Sequence, residues 1–239
     1  MNDILCGRFI METCGEQFRL STDSMVLADF AAVKAGDAVC DLGCGCGALS
    51  LLLCGKEDTC RVTGVEIQSA AADTARKNAA ENGLADRFSV IEGDLRLWRD
   101  CLCPGSFDAV ISNPPYFPVG SGAKNASESL AIARTEQCCT LSDLCRAAAG
   151  LLRFGGSFSL VHKPERLCDL FCALRSCELE PKRLRFVRHH AGGNISLVLV
   201  EARLGGKAGL TILPDLCLFT PDGAISADYQ RIYHLQEGL

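Results

Sequence analysis

The tetrapeptide Asn113-Pro114-Pro115-Tyr116 joins an amide, two prolines and a phenol ring in four consecutive positions. The amide oxygen of Asn113 and the backbone carbonyl of Pro114 are both acceptors, and together they can take the two N–H groups of an exocyclic amine. That grip draws the nitrogen lone pair out of conjugation and aims it at an electrophile, while Tyr116 can stack on the ring or amide plane. The quartet follows Phe107-Asp108-Ala109-Val110-Ile111-Ser112, an apolar and partly β-branched run that reads as a buried strand, stopped where two prolines forbid further pairing. Asn-Pro is also an ordinary turn signal, so the chemistry depends on the company this stretch keeps.

A second constellation lies upstream. Asp41-Leu42-Gly43-Cys44-Gly45-Cys46-Gly47 separates a strand pattern at 38–42 from a helix pattern at 49–55. Glycines at alternate positions permit positive φ and close backbone approach by a ligand, as in dinucleotide folds, but the G-x-G-x-x-G spacing is absent and an acid opens the turn. An acid in that crevice suits a ligand bearing an amino group better than one bearing two phosphates. The next strand, at 61–67, ends in Glu66-Ile67, where an acid can take both hydroxyls of a ribose. After a third strand at 87–91 comes Asp94-Leu95, where the carboxylate can accept from an adenine amine. Either acid alone can equally be a solvated loop residue. The set Asp41, Gly43, Cys44, Gly45, Gly47, Glu66, Ile67, Asp94, Leu95 and Asn113 describes a ligand with an amino group, a ribose and an adenine.

These stretches require strand ends side by side. Strand-like and helix-like patterns alternate from Gly36 onward, which predicts parallel βα units. Helices are expected at 69–82, 141–152 and 164–176, and strands at 107–112 and 157–161. The runs 183–190 and 195–203, joined by Ala191-Gly192-Gly193-Asn194, predict an antiparallel hairpin at the edge of the sheet. The expected organisation is one domain: a capping segment 1–35, whose helix with Thr22 or Asp23 as N-cap covers an edge, a core 36–203 and a less regular extension 204–239.

The 239 residues are 48% hydrophobic and 22% charged, enough to bury a full core and too apolar for a disordered chain. Residues 1–17 mix charges with apolar side chains, unlike a signal peptide, and no apolar run is long enough to span a bilayer, so a cytoplasmic protein without a membrane partner is expected. The 16 cysteines are then reduced thiols. Cys40, Cys44 and Cys46 lack a nearby His or a second pair at zinc spacing, so no metal is expected. Cys54, Cys145, Cys168 and Cys172 fall in apolar helical patterns and are expected in the core. Trp98 is expected to pack rather than to stack on a ligand.

With Asp41 to Gly47, Glu66, Asp94 and the Asn-Pro-Pro-Tyr quartet in place, the chain resembles the class I S-adenosylmethionine-dependent methyltransferases, specifically amino-methyltransferases carrying that quartet. The resemblance implies a Rossmann-like α/β sheet, mostly parallel with an antiparallel C-terminal hairpin. It puts S-adenosylmethionine with its methionine end near Asp41, Gly43 and Gly45, its ribose on Glu66 and its adenine near Asp94. Residues 18–30 and 205–214 further resemble the terminal signatures of the bacterial tRNA1(Val) adenine N6-methyltransferase group, which implies tRNA as partner. Release-factor glutamine N5-methylation and ribosomal RNA guanine N2-methylation remain alternatives, because the quartet can hold any of these amines; the segment before Gly36 is short for the helical domain usual in the former.

The net charge of -5 argues against coating nucleic acid non-specifically, yet its distribution is uneven: residues 1–119 carry net -7 and residues 120–239 net +2. Lys182, Arg183, Arg185, Arg188, His189 and His190 form a run without acids. Arg183, Arg185 and Arg188, with Lys124 and Arg134 in the loop after Tyr116 and Lys163 after the fifth strand, are candidates for phosphate contact. The bland alternative for the arginines is a solvated edge strand guarded by charge. His162 and Lys163 are expected to be structural or to touch phosphate, since the transfer requires no base.

Overall fold

The computed structural model describes residues 3–5, 8–14, 21–115 and 139–233. Two short strands, β1 (Asp3–Leu5) and β2 (Phe9–Met11), form a hairpin that precedes α1 (Thr22–Phe30). The alternation read from the sequence then appears as β3 (Ala38–Leu42), α2 (Ala48–Lys56), β4 (Arg61–Glu66), α3 (Ser69–Glu81), β5 (Phe88–Glu92), β6 (Phe107–Ser112), α4 (Leu141–Leu151), β7 (Leu152–His162) and α5 (Leu167–Ser176). The hairpin is β8 (Leu179–His190) with β9 (Ile195–Leu204). The C-terminal part is more regular than expected, with β10 (Thr211–Ile212), β11 (Leu216–Phe219) and α6 (Ala227–Ile232).

The main sheet runs β10-β8-β9-β7-β6-β3-β4-β5, with β11 also pairing β8. Pairing is parallel from β7 through β6, β3 and β4 to β5, and β9 runs antiparallel to both of its neighbours. The hairpin is therefore present, but β8 is not an edge: β10 and β11 pair along its outer side. That overturns the solvated-edge alternative for the arginine row.

Alternation along the strands fills two cores. Val39, Ile111, Val161 and Leu199 face one side with α1, α2 and α3, and Cys40, Val110, Leu160 and Val200 face the other with α4 and α5. Each aliphatic side chain buried in this way is worth roughly 1.5–3 kcal/mol. Helix α1 lies against α2 and over β7 and β9, so it covers a face of the sheet rather than an edge. Its N-cap is Ser21, one residue before the expected position. Its C-terminus is fastened by Lys56, whose Nζ donates to the carbonyls of Ala28 (2.9 Å), Asp29 (3.0 Å) and Ala31 (2.7 Å). Three carbonyls left over at a helix end thus receive a cation that also complements the helix dipole.

Cys54 and Cys145 are buried as expected, whereas Cys168 and Cys172 lie on the exposed side of α5. The apolar run misled there because cysteine counts as hydrophobic while α5 buries only Leu170, Ala173 and Leu174. Trp98 is 3% exposed and packs on Gly150 of α4, where an added Cβ would meet its ring at 2.2 Å.

Candidate active site

Register places the two constellations together. Asp41 pairs with Ile111 on one side and with Gly64 on the other, and Glu66 pairs with Glu92. The turn after β3, Glu66 at the end of β4, Asp94 beyond β5 and Asn113 beyond β6 therefore share the carboxyl edge of four neighbouring parallel strands, a row about 14 Å wide at a strand spacing of roughly 4.8 Å. Connections leave β3 and β6 in opposite directions along the sheet, and the crevice between such strands is where open α/β sheets bind ligands.

The turn is rigid. Gly43, Gly45 and Gly47 have φ of 76°, 55° and 88°, a region that a side chain enters only at a cost. The Gly43 and Cys44 amides donate to the Val65 carbonyl at 2.8 and 3.1 Å, and the Gly45 amide donates to Glu66 Oε2 at 2.9 Å. Glu66 Oε1 accepts from the Gln68 amide at 2.8 Å. Glu66 is 6% exposed, so it is a buried, oriented acid and not a solvated loop residue. Each of its oxygens keeps a lone pair beyond the one used here. At Gly43 an added Cβ would meet nothing within 4 Å, so the turn is open to an approaching molecule there.

Asp41 is 1% exposed, and its Oδ2 accepts from the Ser50 hydroxyl of α2 at 2.7 Å. Burial pushes its pKa up to about 7; Ser50 opposes the rise and the neighbouring Glu66 charge adds to it. A buried carboxylate poised in this way is held charged by a cation, which fits a ligand bearing an ammonium group. Asp94 caps the short 3-10 turn Leu95–Asp100 by accepting from the Arg96 amide at 2.9 Å. The Arg96 guanidinium on the same carboxylate holds its pKa below the usual carboxylate range. Ile67 is 51% exposed at the crevice edge, and Leu95 is half-buried.

Asn113 is half-buried, and its Nδ2 donates to the Ser24 hydroxyl oxygen of α1 at 3.0 Å. The Oδ1 of the same amide remains an acceptor. Pro114 is buried, Pro115 exposed, and Tyr116, Lys124 and Arg134 lie outside the described residues. Beneath the quartet, the Ser112 hydroxyl donates to the Leu42 carbonyl at 2.7 Å and ties β6 to the start of the glycine turn. The N-terminal segment reaches the same turn: Asn78 of α3 bridges the carbonyls of Glu12 and Cys46, both at 2.9 Å.

The basic row is engaged within the fold. Arg183 donates to Glu201 at 2.7 Å and lies over the Phe30 ring, with its Cζ 4.5 Å from the centroid. Arg185 donates to the Pro214 carbonyl at 3.0 Å and pairs with Asp228 at 3.5 Å. Arg188 pairs with Asp215 and donates to the Gly193 carbonyl. Their positive charge is largely matched by these acids, and Arg183 and Arg185 brace α1 and α6. His162 is fully buried; its Nδ1 accepts from the Lys163 amide at 2.8 Å and burial lowers its pKa, so it is structural rather than a phosphate contact. Among the described residues no group of three or more His, Cys, Asp or Glu is arranged to hold a metal, and no helix is long and apolar enough to cross a membrane.

Ser24, Ser50 and Lys56 were not anticipated as part of this region. Ser24 lies within 18–30, but nothing in that stretch pairs it with a residue 89 positions away.

The sheet order, the glycine turn at the switch point and the acid-lined carboxyl edge define a class I S-adenosylmethionine-dependent methyltransferase. The chain belongs to the methyltransferase small domain family, whose model matches residues 18–171. It is similar to tRNA1(Val) (adenine(37)-N6)-methyltransferases: 30% identical to that of Porphyromonas gingivalis W83 over 76% of this chain and 72% of the relative. To that of Aeromonas hydrophila it is 29% identical over 90% of this chain and 88% of the relative. Among solved structures, a predicted O-methyltransferase from Agrobacterium tumefaciens superposes with a TM-score of 0.74 at 23% identity, covering 89% of this chain and 96% of that one. Geranyl diphosphate methyltransferase in complex with SAM superposes at 0.57 and 17% identity, covering 76% and 84%. At those identities the likeness is one of fold.

Proposed function

We propose that this methyltransferase transfers the methyl group to N6 of an adenine in tRNA, the base beside the anticodon of tRNA1(Val). The observation that carries the reading is the Asn113 amide, held by its nitrogen and offering its oxygen at the carboxyl end of β6. With the Pro114 carbonyl as second acceptor, the corner takes both N–H groups of an exocyclic amine. The names of the relatives point the same way for the substrate.

When bound, S-adenosylmethionine supplies an electrophilic methyl group on a sulfonium. Asp41 suits its ammonium, the open backbone at Gly43 with the neighbouring Gly45 its methionine end, Glu66 its ribose hydroxyls, and Asp94 with Ile67 and Leu95 its adenine. The Asn113 and Pro114 oxygens would hold the acceptor amine with its lone pair aimed at that methyl group, so that an N–C bond could form in place of the C–S bond, whose electron pair would stay with sulfur. The nitrogen becomes strongly acidic only then and loses its proton to water, so no side-chain base is needed. Fixed dipoles and positioning of this kind are worth several kcal/mol each.

For the RNA, Lys163, Lys124 and Arg134 are the proposed phosphate contacts, together with whatever faces of Arg183, Arg185 and Arg188 their ion pairs leave to solvent. Val198 of β9 pairs with His162, the last residue of β7, so the β8–β9 tip bearing Arg188, His189 and His190 overhangs the carboxyl edge. That overhang supports contact with an RNA loop laid across the crevice. A tRNA substrate implies a cytoplasmic enzyme.

The test is methyl transfer from radiolabelled S-adenosylmethionine to RNA, DNA and protein fractions of cells lacking the gene, followed by nucleoside analysis. Label in N6-methyladenosine of the tRNA fraction is expected. Label in guanosine, or confined to protein, overturns the reading.

A further inference from the structure

We infer that Ser24 is a positioning residue for methyl transfer: by accepting from Asn113 Nδ2 it holds the Asn113 amide in the place and plane from which its oxygen can receive the acceptor amine. The inference rests on the proposed role of Asn113. An asparagine amide has one accepting end and one donating end of nearly the same size, and the torsion that exchanges them is soft. Only the oxygen can receive an amine N–H; the NH2 group turned the same way would oppose donor to donor. A serine hydroxyl can accept or donate, so a bond to it sets the place and plane of the amide, and in this structure the nitrogen is the end that is held.

Ser24 is placed to do so. It is 8% exposed, in the first turn of α1, and its hydroxyl oxygen lies 3.0 Å from Asn113 Nδ2. The Ser24 amide donates to the N-cap Ser21 Oγ at 3.4 Å, so the side chain projects from a capped helix start. At the other end α1 is pinned by the three Lys56 bonds, by Arg183 stacked on Phe30 and by the Arg231 pair with Asp29. Tyr233 donates from its hydroxyl to Thr22 Oγ1 at 3.2 Å, which ties the beginning of α1 to the C-terminal chain. A helix anchored at both ends gives the hydroxyl a fixed address. The arginines of β8, read from sequence as an RNA surface, thereby act on the site from the far side of α1. On the Asn113 side, the Ser112 bond to the Leu42 carbonyl keeps the strand end from drifting away from its partner.

The experiment compares Ser24→Ala, Ser24→Thr and Asn113→Ala with wild type by steady-state kinetics on tRNA, calorimetric S-adenosylmethionine binding and thermal melting. Losing the orienting bond, a contribution of about 1.4 kcal/mol, is expected to lower kcat about tenfold in Ser24→Ala. Cofactor Kd should stay within about twofold and the melting temperature within a few degrees, since a single neutral hydrogen bond is lost. Ser24→Thr, which keeps the hydroxyl, should recover most of kcat. Wild-type kcat in Ser24→Ala, equal losses in the Ala and Thr variants, or a loss confined to KM for tRNA would each overturn the positioning role. If Asn113→Ala itself remains active, the amine-clamp reading fails first; if Asn113→Ala is inactive while Ser24→Ala keeps the wild-type kcat, only the role of Ser24 falls.

Discussion

The turn after β3 and the corner after β6 sit on adjacent strands and are built by different means. Residues 41–47 form the turn from one contiguous stretch, and most of its bonds are to Val65, Glu66 and Ser50 of the elements that follow directly, with Asn78 of α3 and Ser112 of β6 reaching its Cys46 and Leu42 carbonyls. The corner at Asn113 depends on Ser24, 89 residues earlier, and on the helix that carries it. The first is a local conformation enforced by glycine backbone and short-range bonds. The second is a tertiary contact whose precision depends on how α1 is docked. Disturbing the first should therefore change cofactor binding and stability, and disturbing the second should change the rate of transfer at saturating cofactor.

The largest effect is expected at Asp41. Its pKa of about 7 in the folded chain stands above the ordinary value of 3.8, so the folded state holds the proton more tightly. The associated stability is fully present below about pH 4 and is lost as pH rises to 7, a difference on the order of 4 kcal/mol. Asp41→Asn should melt at a higher temperature than wild type at pH 8, with most of that gap gone at pH 4, and should bind S-adenosylmethionine more than tenfold more weakly, at a cost above about 1.4 kcal/mol. An equal gap at both pH values would mean that titration of Asp41 is not its source.

Gly47→Ala comes next. At φ of 88° the new Cβ would lie 2.8 Å from the Phe88 ring, and positive-φ strain with overpacking should cost roughly 2–4 kcal/mol. Thermal melting should register that loss and calorimetry a weakened cofactor site, with kcat at saturating cofactor little changed. A normal Kd would show that the turn does not shape the cofactor site.

The smallest effect tests the other half. Lys56→Met keeps the apolar stem and removes the cation from the end of α1, which should cost about 1 kcal/mol of stability and lower kcat a few-fold by loosening the support of Ser24. Cofactor Kd should not move. A change in Kd with unchanged kcat would erase the distinction between the two regions.

Much of the site was legible because it is local. The D-x-G-x-G-x-G turn, the acids at 66 and 94 and the strand before Asn113 stand at the ends of segments whose period-2 and helical patterns are plain, and β3, β6 and α4 fall within a residue of their expected limits. Solvation was harder to read. Glu66 is buried because its carboxylate takes two backbone amides, and Cys168 and Cys172 are exposed because of how α5 is rotated. The arginine row shows the same limit: charge is written in the sequence, whereas what neutralises it comes from residues such as Glu201, Asp215 and Asp228, which only the fold brings near.

By itself the sequence determined the chemistry on offer: an amide with a second acceptor beside it, a glycine turn headed by an acid, and the parallel βα order that sets them on one edge. Those properties reside in residue type and short-range backbone geometry. Only the tertiary structure decided that the Asn113 amide nitrogen meets Ser24, that β8 is sheathed by β10 and β11, and that its arginines brace a helix. Each of these depends on backbone or side-chain groups distant in sequence coming together, a condition that packing imposes and periodicity does not encode.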